Sequence, residues 1–324
     1  MDNLTHSLAG WTLGQTGLKK RSRKGLAALI LGANAPDIDV FLGWVPWAPL
    51  ATHRGFTHSF VGGVLLLPPM LAGLLWLLDR WQVRRGAQFA SGLEMGFGWL
   101  LALSYIGCLT HPLLDWQTSY AIQLFTPFDR RWYHNDALFI IDPWLLLAMG
   151  WGIWLSWRRE KRGQPRWARP AIVSAAAVML YICANGALSA AVRHAPIVPE
   201  HNARPDAMVI SPPPIAFWRR SVIWRQDHVI HFDEYVPGAG SIRNADDQPP
   251  IPDGMRDPLA RRALRVPEMV SFARWSILPM ARVTAERCRT VVAFQDARFG
   301  KSGEGRLGRS VMLPRHAAGC SNAR

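Results

Sequence analysis

FVGGVLLLPPMLAGLLWLL, residues 60–78, contains no charged side chain. About 20 such residues in a helix, at ~1.5 Å rise each, cover the hydrocarbon core of a bilayer. Three more stretches repeat the pattern. Residues 95–110 carry no charge beyond Glu94 at their edge. Residues 143–157 (PWLLLAMGWGIWLSW) follow Asp142, and 171–192 (AIVSAAAVMLYICANGALSAAV) are uncharged throughout. A large soluble bundle could also bury such helices. Two features favour the membrane: Lys and Arg punctuate the gaps, and Trp44, Trp47, Trp76, Trp81, Trp116, Trp144 and Trp157 sit at segment ends. Indole, with an apolar body and one N–H, belongs at the membrane–water interface.

The remaining composition narrows the class. Of 324 residues, 49% are hydrophobic, which excludes disorder over most of the chain. Four cysteines, none in a CxxC pair, exclude a disulfide scaffold and a thiolate zinc knuckle. Cys288 and Cys320 are either a pair or two free thiols. The net charge of +14 invites a nucleic-acid reading, but its distribution speaks against one. Lys19, Lys20, Arg21, Arg23 and Lys24 form one cluster; Arg80, Arg84 and Arg85 a second; Arg158, Arg159, Lys161, Arg162, Arg166 and Arg169 a third. These alternate loops hold 14 basic residues, against three (Arg54, Arg130, Arg131) in the opposite ones. The basic loops are therefore expected inside, and no nucleic-acid partner is expected. Segment 60–78 then runs inward, 93–110 outward, 138–157 inward and 171–192 outward.

The expected fold is mainly α: a polytopic membrane bundle of about four spanning helices with a short N-terminal helical hairpin. A small α+β soluble domain follows. The hairpin is read from residues 3–18, capped by Asn3 or Thr5, and from 25–35, which ends at Asn34-Ala35-Pro36. No secretory signal of the usual form is expected, since the basic residues follow the first apolar stretch. Residues 1–195 are taken as the membrane-embedded domain and 196–324 as an extracytoplasmic one. Within the latter, 219–236 reads as two strands joined near Arg225-Gln226-Asp227, 267–286 as a helix and 290–300 as a strand. The last 20 or so residues are expected to be loose.

Five of the ten histidines lie in the first 142 residues. His6 is near the first helix start. Asp37 and Asp39 lie in NAPDID (34–39), His53 and His58 in HRGFTHS (53–59), His111 and Asp115 in HPLLD (111–115). By the charge count all fall at outer segment ends, although that count used neither His nor Asp. Converging carboxylates and imidazoles beside apolar segments repel or titrate unless neutralised, and a divalent metal does that. Imidazole plus carboxylate suits Zn²⁺, Mn²⁺ or Fe. His111 and Asp115 share a helical face at i, i+4, if Pro112 occupies the first turn. Asp37 and Asp39 share a face only if extended. Singly, each motif has a bland reading: HxxxD as solvated helix surface, PDID as a turn, Asp142 as a helix cap. His134 and Asp136 are either further ligands or loop residues. His228 and His231 are poor co-ligands, and His194, His201 and His316 read as surface.

MDNLTHSLAG at the start, NAPDID, HRGFTHS, HPLLD and NDALFIIDPW (135–144) together resemble the YdjM-like family of membrane-bound, metal-dependent hydrolases. SPPPIAFWRR (211–220) and VVAFQDARFG (291–300) resemble its longer members. That family is similar to the zinc-dependent phospholipase C superfamily, helical enzymes with multi-zinc His/Asp clusters. The resemblance implies ligands at His6, Asp37 or Asp39, His53 or His58, His111 and Asp115. The superfamily's second histidine-rich helix has no counterpart after Asp115; only His134 and Asp136 stand near its place, so the metal count stays open.

The expected chemistry is hydrolysis of a lipid-linked or other amphiphilic phosphoester at the outer face of an inner membrane. A metal lowers the pKa of water toward ~7. Asp37 or Asp39 takes the proton or holds a second ion. Arg54 pairs with a phosphate oxygen or anchors at headgroup level. Alternatives are a non-catalytic metal-binding sensor or scaffold, a transporter, which would carry charges along a path, and a peptidase, which would usually show HExxH.

Overall fold

The computed structural model describes residues 1–40, 53–198, 204–244, 249–300 and 307–314. Trp44, Trp47, His201, His316 and Cys320 lie outside the described residues, and so does any pairing of Cys320 with Cys288. The chain forms two units. The first holds residues 1–40, 53–189 and 212–217; the second holds the rest of the described chain.

The first unit is helical. α1 (Asn3–Gln15) and α2 (Gly25–Asn34) form the expected hairpin. The cap of α1 is Asp2, not Asn3 or Thr5: its carboxylate accepts from the Thr5 N–H at 3.0 Å. After α2, Pro36 tightens the chain into a 3₁₀ turn, Ala35–Val40. α3 (Leu67–Arg84) is preceded by a π-helical turn, Phe60–Leu66. The irregularity ends at Pro68-Pro69, where two N–H donors are missing. α4 spans Phe97–Trp116, and Pro112 lies inside it rather than in its first turn. The HPLLD motif is therefore the end of a long helix, with His111 and Asp115 one turn apart. α5 (Pro143–Lys161) is capped by Asp142, which accepts from Trp144 and Leu145 N–H at 3.0 and 3.1 Å. α6 spans Arg169–Val192.

Among the described residues, three helical stretches are long and apolar enough to cross a membrane: Phe60–Arg84, Phe97–Trp116 and Arg169–Val192. α5 was expected as a fourth. Its apolar part is shorter, because Arg158, Arg159 and Lys161 fill its last turn. Large apolar side chains on α3 and α6 face outward, Leu74 at 64% exposure and Leu180 at 71%. An uncovered surface of this kind is what lipid tails cover.

Close backbone approach holds the helices that matter for the site. A Cβ on Gly10 of α1 would lie 2.5 Å from the Leu29 carbonyl oxygen, and one on Gly107 of α4 would lie 2.6 Å from that same oxygen. Glycine is what lets α2 lie against both neighbours. Below that contact, Ala28, Leu29, Ala72, Leu75, Leu100 and Leu103 form a buried core of α2, α3 and α4.

The second unit is β-rich. β1 (Ile197–Val198), β2 (Ala207–Ser211), β3 (Arg220–Gln226), β4 (Val229–Tyr235), β5 (Ile242–Asn244) and β6 (Ile251–Pro252) form one sheet in the order β1-β5-β4-β3-β2, with β6 also on β4. β7 (Pro279–Ala285), β8 (Arg289–Asp296) and β9 (Arg309–Pro314) form a second, antiparallel sheet. Two short helices, α7 (Pro258–Ala263) and α8 (Pro267–Trp275), lie between the sheets in sequence. The β3–β4 hairpin is as expected, turning through positive φ at Asp227 and His228. The helix expected over 267–286 stops at Trp275. The Asp296 carboxylate accepts from the Ser276 hydroxyl and from the Ile277 and Leu278 N–H groups, which drives the chain into β7. Residues 309–314, expected to be loose, pair with β8. Val209, Ile230, Leu278, Met280 and Ala297 make this unit's core.

Candidate metal centre

Four short segments bring seven imidazoles and carboxylates to one end of the helical unit. The start of α1 supplies His6. The 3₁₀ turn after α2 supplies Asp37 and Asp39, the turn before α3 supplies His53 and His58, and the end of α4 supplies His111 and Asp115. His6, His58 and His111 are fully buried. Asp39 and His53 are part-exposed and form the outer edge.

Two carboxylates organise the group. Asp37 Oδ1 lies 3.2 Å from His58 Nε2, 3.3 Å from His111 Nε2 and 3.5 Å from His53 Nε2. Asp115 lies 3.4 Å from His6 Nε2, 3.6 Å from His111 Nε2 and 3.7 Å from His58 Nε2. Asp39 accepts from the Thr57 hydroxyl at 2.7 Å and lies 2.8 Å from His53 Nδ1. Three interlocked sets result: His6, His111 and Asp115; Asp37, His58 and His111; Asp39, His53 and His58. In each, the ligand atoms lie within 4.8 Å of one another. His111 joins the first two sets and His58 the last two.

The protonation states suit metal ligation. Burial lowers the His58 pKa to about 3, against the opposing pull of Asp37. Burial, then His111 and the N-terminal amine, hold His6 well below the usual imidazole range. Burial opposes ionisation of Asp37, but contacts with His111 and His58 outweigh it and keep the carboxyl below its ordinary range. Asp39 follows the same balance: burial raises it, and His53 and Thr57 bring it down. Neutral imidazoles beside ionised carboxylates are the ligand forms that metals require.

A divalent ion fits this donor set. Both ring nitrogens of His6 and Nε2 of His111 are buried without a hydrogen bond. Buried polar atoms normally find a partner, and a metal would be one here. His111 Nδ1 donates to the Ala33 carbonyl at 2.7 Å, which fixes the tautomer and leaves Nε2 turned to the carboxylates. The stacked rings of His6 and His111, centroids 3.8 Å apart, present their edges together.

The other candidates fall differently. Arg54 is buried at 3% exposure, so it is no headgroup anchor; its Nη2 lies 3.5 Å from Asp115 and its Nη1 donates to Thr118. Its φ is +70°, a backbone conformation seldom adopted by a long side chain. His134 bonds to Asp136 at 2.7 Å and joins none of the three sets among the described residues. Asp37 and Asp39 meet the group from a 3₁₀ turn, not from extended chain, with His58 between them. His231 stacks on Trp224 in the second unit. Three contributors were not foreseen. Thr57, between the two histidines of HRGFTHS, carried a readable signal as a hydroxyl donor. The Met1 amine, which contacts Asp115, and the Ala33 carbonyl carried none.

No curated protein and no solved structure matches the chain. Residues 1–192, which carry every member of the His/Asp cluster, match the family described as YdjM inner membrane protein, and the chain belongs to that family.

Proposed function

We propose that the protein is an integral membrane hydrolase that cleaves a phosphoester of a lipid or lipid-linked substrate with the help of a bound divalent metal. The observation that carries this reading is the interlocking of seven buried or part-buried ligand groups, with imidazole nitrogens left without hydrogen bonds. The nitrogen-rich donor set with no thiolate favours Zn²⁺ among the candidates. A metal held there supplies Lewis-acid polarisation of a phosphoryl oxygen and lowers the pKa of water toward ~7.

The side chains divide the remaining work. Asp37, against three imidazoles, acts as a ligand. Asp39, more exposed and steadied by Thr57, is the proton acceptor. Arg54, in contact with Asp115, pairs its planar fork with a phosphoryl oxygen. The cluster faces outward across the inner membrane, because the basic loops occupy the opposite helix ends.

The test is elemental analysis of the intact protein and of a His111→Ala/Asp115→Ala double mutant, with phosphodiester hydrolysis measured beside an Asp37→Asn control. We expect metal in the intact protein only, and turnover only with metal. Equal metal in both preparations rejects the site; bound metal without turnover assigns a metal-binding role instead.

A further inference from the structure

Beside the cluster, the helical unit contains a cavity of about 580 Å³. Small-molecule sites run from ~300 to 1,000 Å³. The walls come from α1, α4, α5 and α6 and include Leu13, Leu114, Met149, Val178 and Ile182. No charged residue lines it. Of its few polar side chains, the Thr12 hydroxyl is left without a hydrogen bond and three others are committed to the protein itself. Thr110 donates to the Gly107 carbonyl at 2.7 Å, Gln117 to the Leu113 carbonyl at 3.0 Å, and Asn135 to Gln117 at 2.8 Å. A polar ligand would lose hydration there with little in return, whereas a hydrocarbon chain would lose none.

Two placements say which hydrocarbon. The first is proximity to the cluster. Leu114 directly precedes Asp115 and Gln117 follows two residues later, so along α4 the cavity begins within one helical turn of that carboxylate. Ala9, also on the wall, is one turn from His6. The second is the opening. Met179 on α6 is 60% exposed, Leu113 on α4 is 45% exposed, and Cys183 is exposed. Both helices are apolar enough to cross the membrane. The cavity is thus continuous with the surface that lipid tails cover.

We propose that this cavity holds one hydrocarbon chain of an amphiphilic phosphoester whose head lies at the His/Asp cluster. The head's chemistry rests on the phosphoesterase reading above; the chain site does not. The specificity that follows is for an amphiphile entering sideways from the bilayer, not for a water-soluble diester.

The experiment uses the full chain, purified in a steroid-based detergent that carries no alkyl chain and stripped of metal by a chelator. Cys183 lies on the cavity wall and reports its occupancy. Its alkylation rate by N-ethylmaleimide is followed by mass spectrometry with butyl phosphate or dodecyl phosphate present. Dodecyl phosphate is expected to slow alkylation at least tenfold, and butyl phosphate to leave it unchanged. In an Ala187→Trp variant, whose indole fills the cavity, the chain-length difference should vanish. A Leu74→Cys reporter on the lipid-facing side of α3 should show no such difference. Equal rates with both phosphates, or equal slowing at Cys183 and at the α3 reporter, overturn the proposal. So does crosslinking of Cys183 to a second copy of the chain in place of protection. The wild-type pair of rates decides the matter even if Ala187→Trp fails to insert. Because metal is absent, protection without any hydrolytic activity of the metal-loaded protein would strike only the phosphoesterase reading.

Discussion

His58 is the side chain on which the site depends most, because it contacts Asp37, Asp39 and Asp115 at once. His58→Ala should lower metal affinity or turnover at least ~10-fold, since even partners outside the coordination shell are worth that much. Insertion should be unchanged, because alanine beside an apolar segment partitions into the membrane more easily than histidine. His231→Ala removes a ring stacked on Trp224 in the other unit, so it should cost ~1 kcal/mol of stability and no activity. Near wild-type turnover of the His58 variant, per inserted molecule, would remove the site from this cluster. The same residue sets a pH dependence. Its folded pKa of about 3 lies below the unfolded value of ~6.5, so between them the unfolded chain binds a proton that the folded chain refuses. The stability from burying it neutral is complete above pH ~6.5 and is lost as pH falls toward 3. The Tm of chelator-treated protein in detergent should therefore drop between pH 7.5 and 5.0, and His58→Gln should make the drop smaller, leaving the part that comes from the buried His6. An unchanged Tm would mean that the ring is not held neutral. At this scale the sequence was readable wherever side-chain chemistry marked the position. His6, His58, His111 and the aspartates stand out at the ends of apolar segments. The Ala33 carbonyl that orients His111 does not, because any residue presents a carbonyl.

The helices deliver those side chains through a contact that carries no chemistry of its own. α2 meets α1 at Gly10 and α4 at Gly107, both over the Leu29 carbonyl. A Gly107→Ala methyl, 2.6 Å from that backbone oxygen and 3.0 Å from the Ala28 oxygen, has no flexible neighbour to displace. Forcing it in should cost ~1–3 kcal/mol and move α2 away from α4. Asp37 follows α2 while His111 and Asp115 stay on α4, so metal content should fall although no ligand is changed. Gly98→Ala on the same helix, where a Cβ meets nothing, serves as the control. Full metal loading of the Gly107 variant would mean that the close approach does not set the site. This contact explains what could be read of the elements and what could not. Apolar length and charge punctuation mark the helices, since lipid demands both. The packing between them depends on glycines that are also common in loops, so nothing in the pattern singles out Gly10 or Gly107. The missed break after Trp275 has a similar cause. Its determinant is Asp296, 20 residues beyond Ser276, and short-range periodicity carries no trace of it.

Across the helical unit, the charged ends lie opposite the His/Asp end. Lys19 and Lys20 in the α1–α2 loop contact Glu160 at the end of α5, and Arg23 bonds Asp79 near the end of α3 at 2.7 Å. The three basic clusters thus gather at one end of the bundle. The cluster residues sit at the other ends of the same helices: His6 opens α1, His58 precedes α3, and Asp37 and Asp115 follow or end α2 and α4. A topology read from loop charge and one read from packing agree on which loops share a side, although they use different residues. We propose that the basic side is cytoplasmic; α6 (Arg169–Val192) is then expected to run outward and to carry the chain that follows out of the cytoplasm. A reporter active only outside the cytoplasm, fused after residue 324, should be active. A reporter active only inside, fused at the same point, should be silent. Replacing the basic residues of the α1–α2 loop, Lys19, Lys20, Arg21 and Lys24, by glutamine should weaken this preference, because it lowers the inside count from 14 to 10. The reverse pattern of reporter activity would turn the bundle over and place the cluster at the cytoplasmic face, where its substrate would have to come from the inner leaflet.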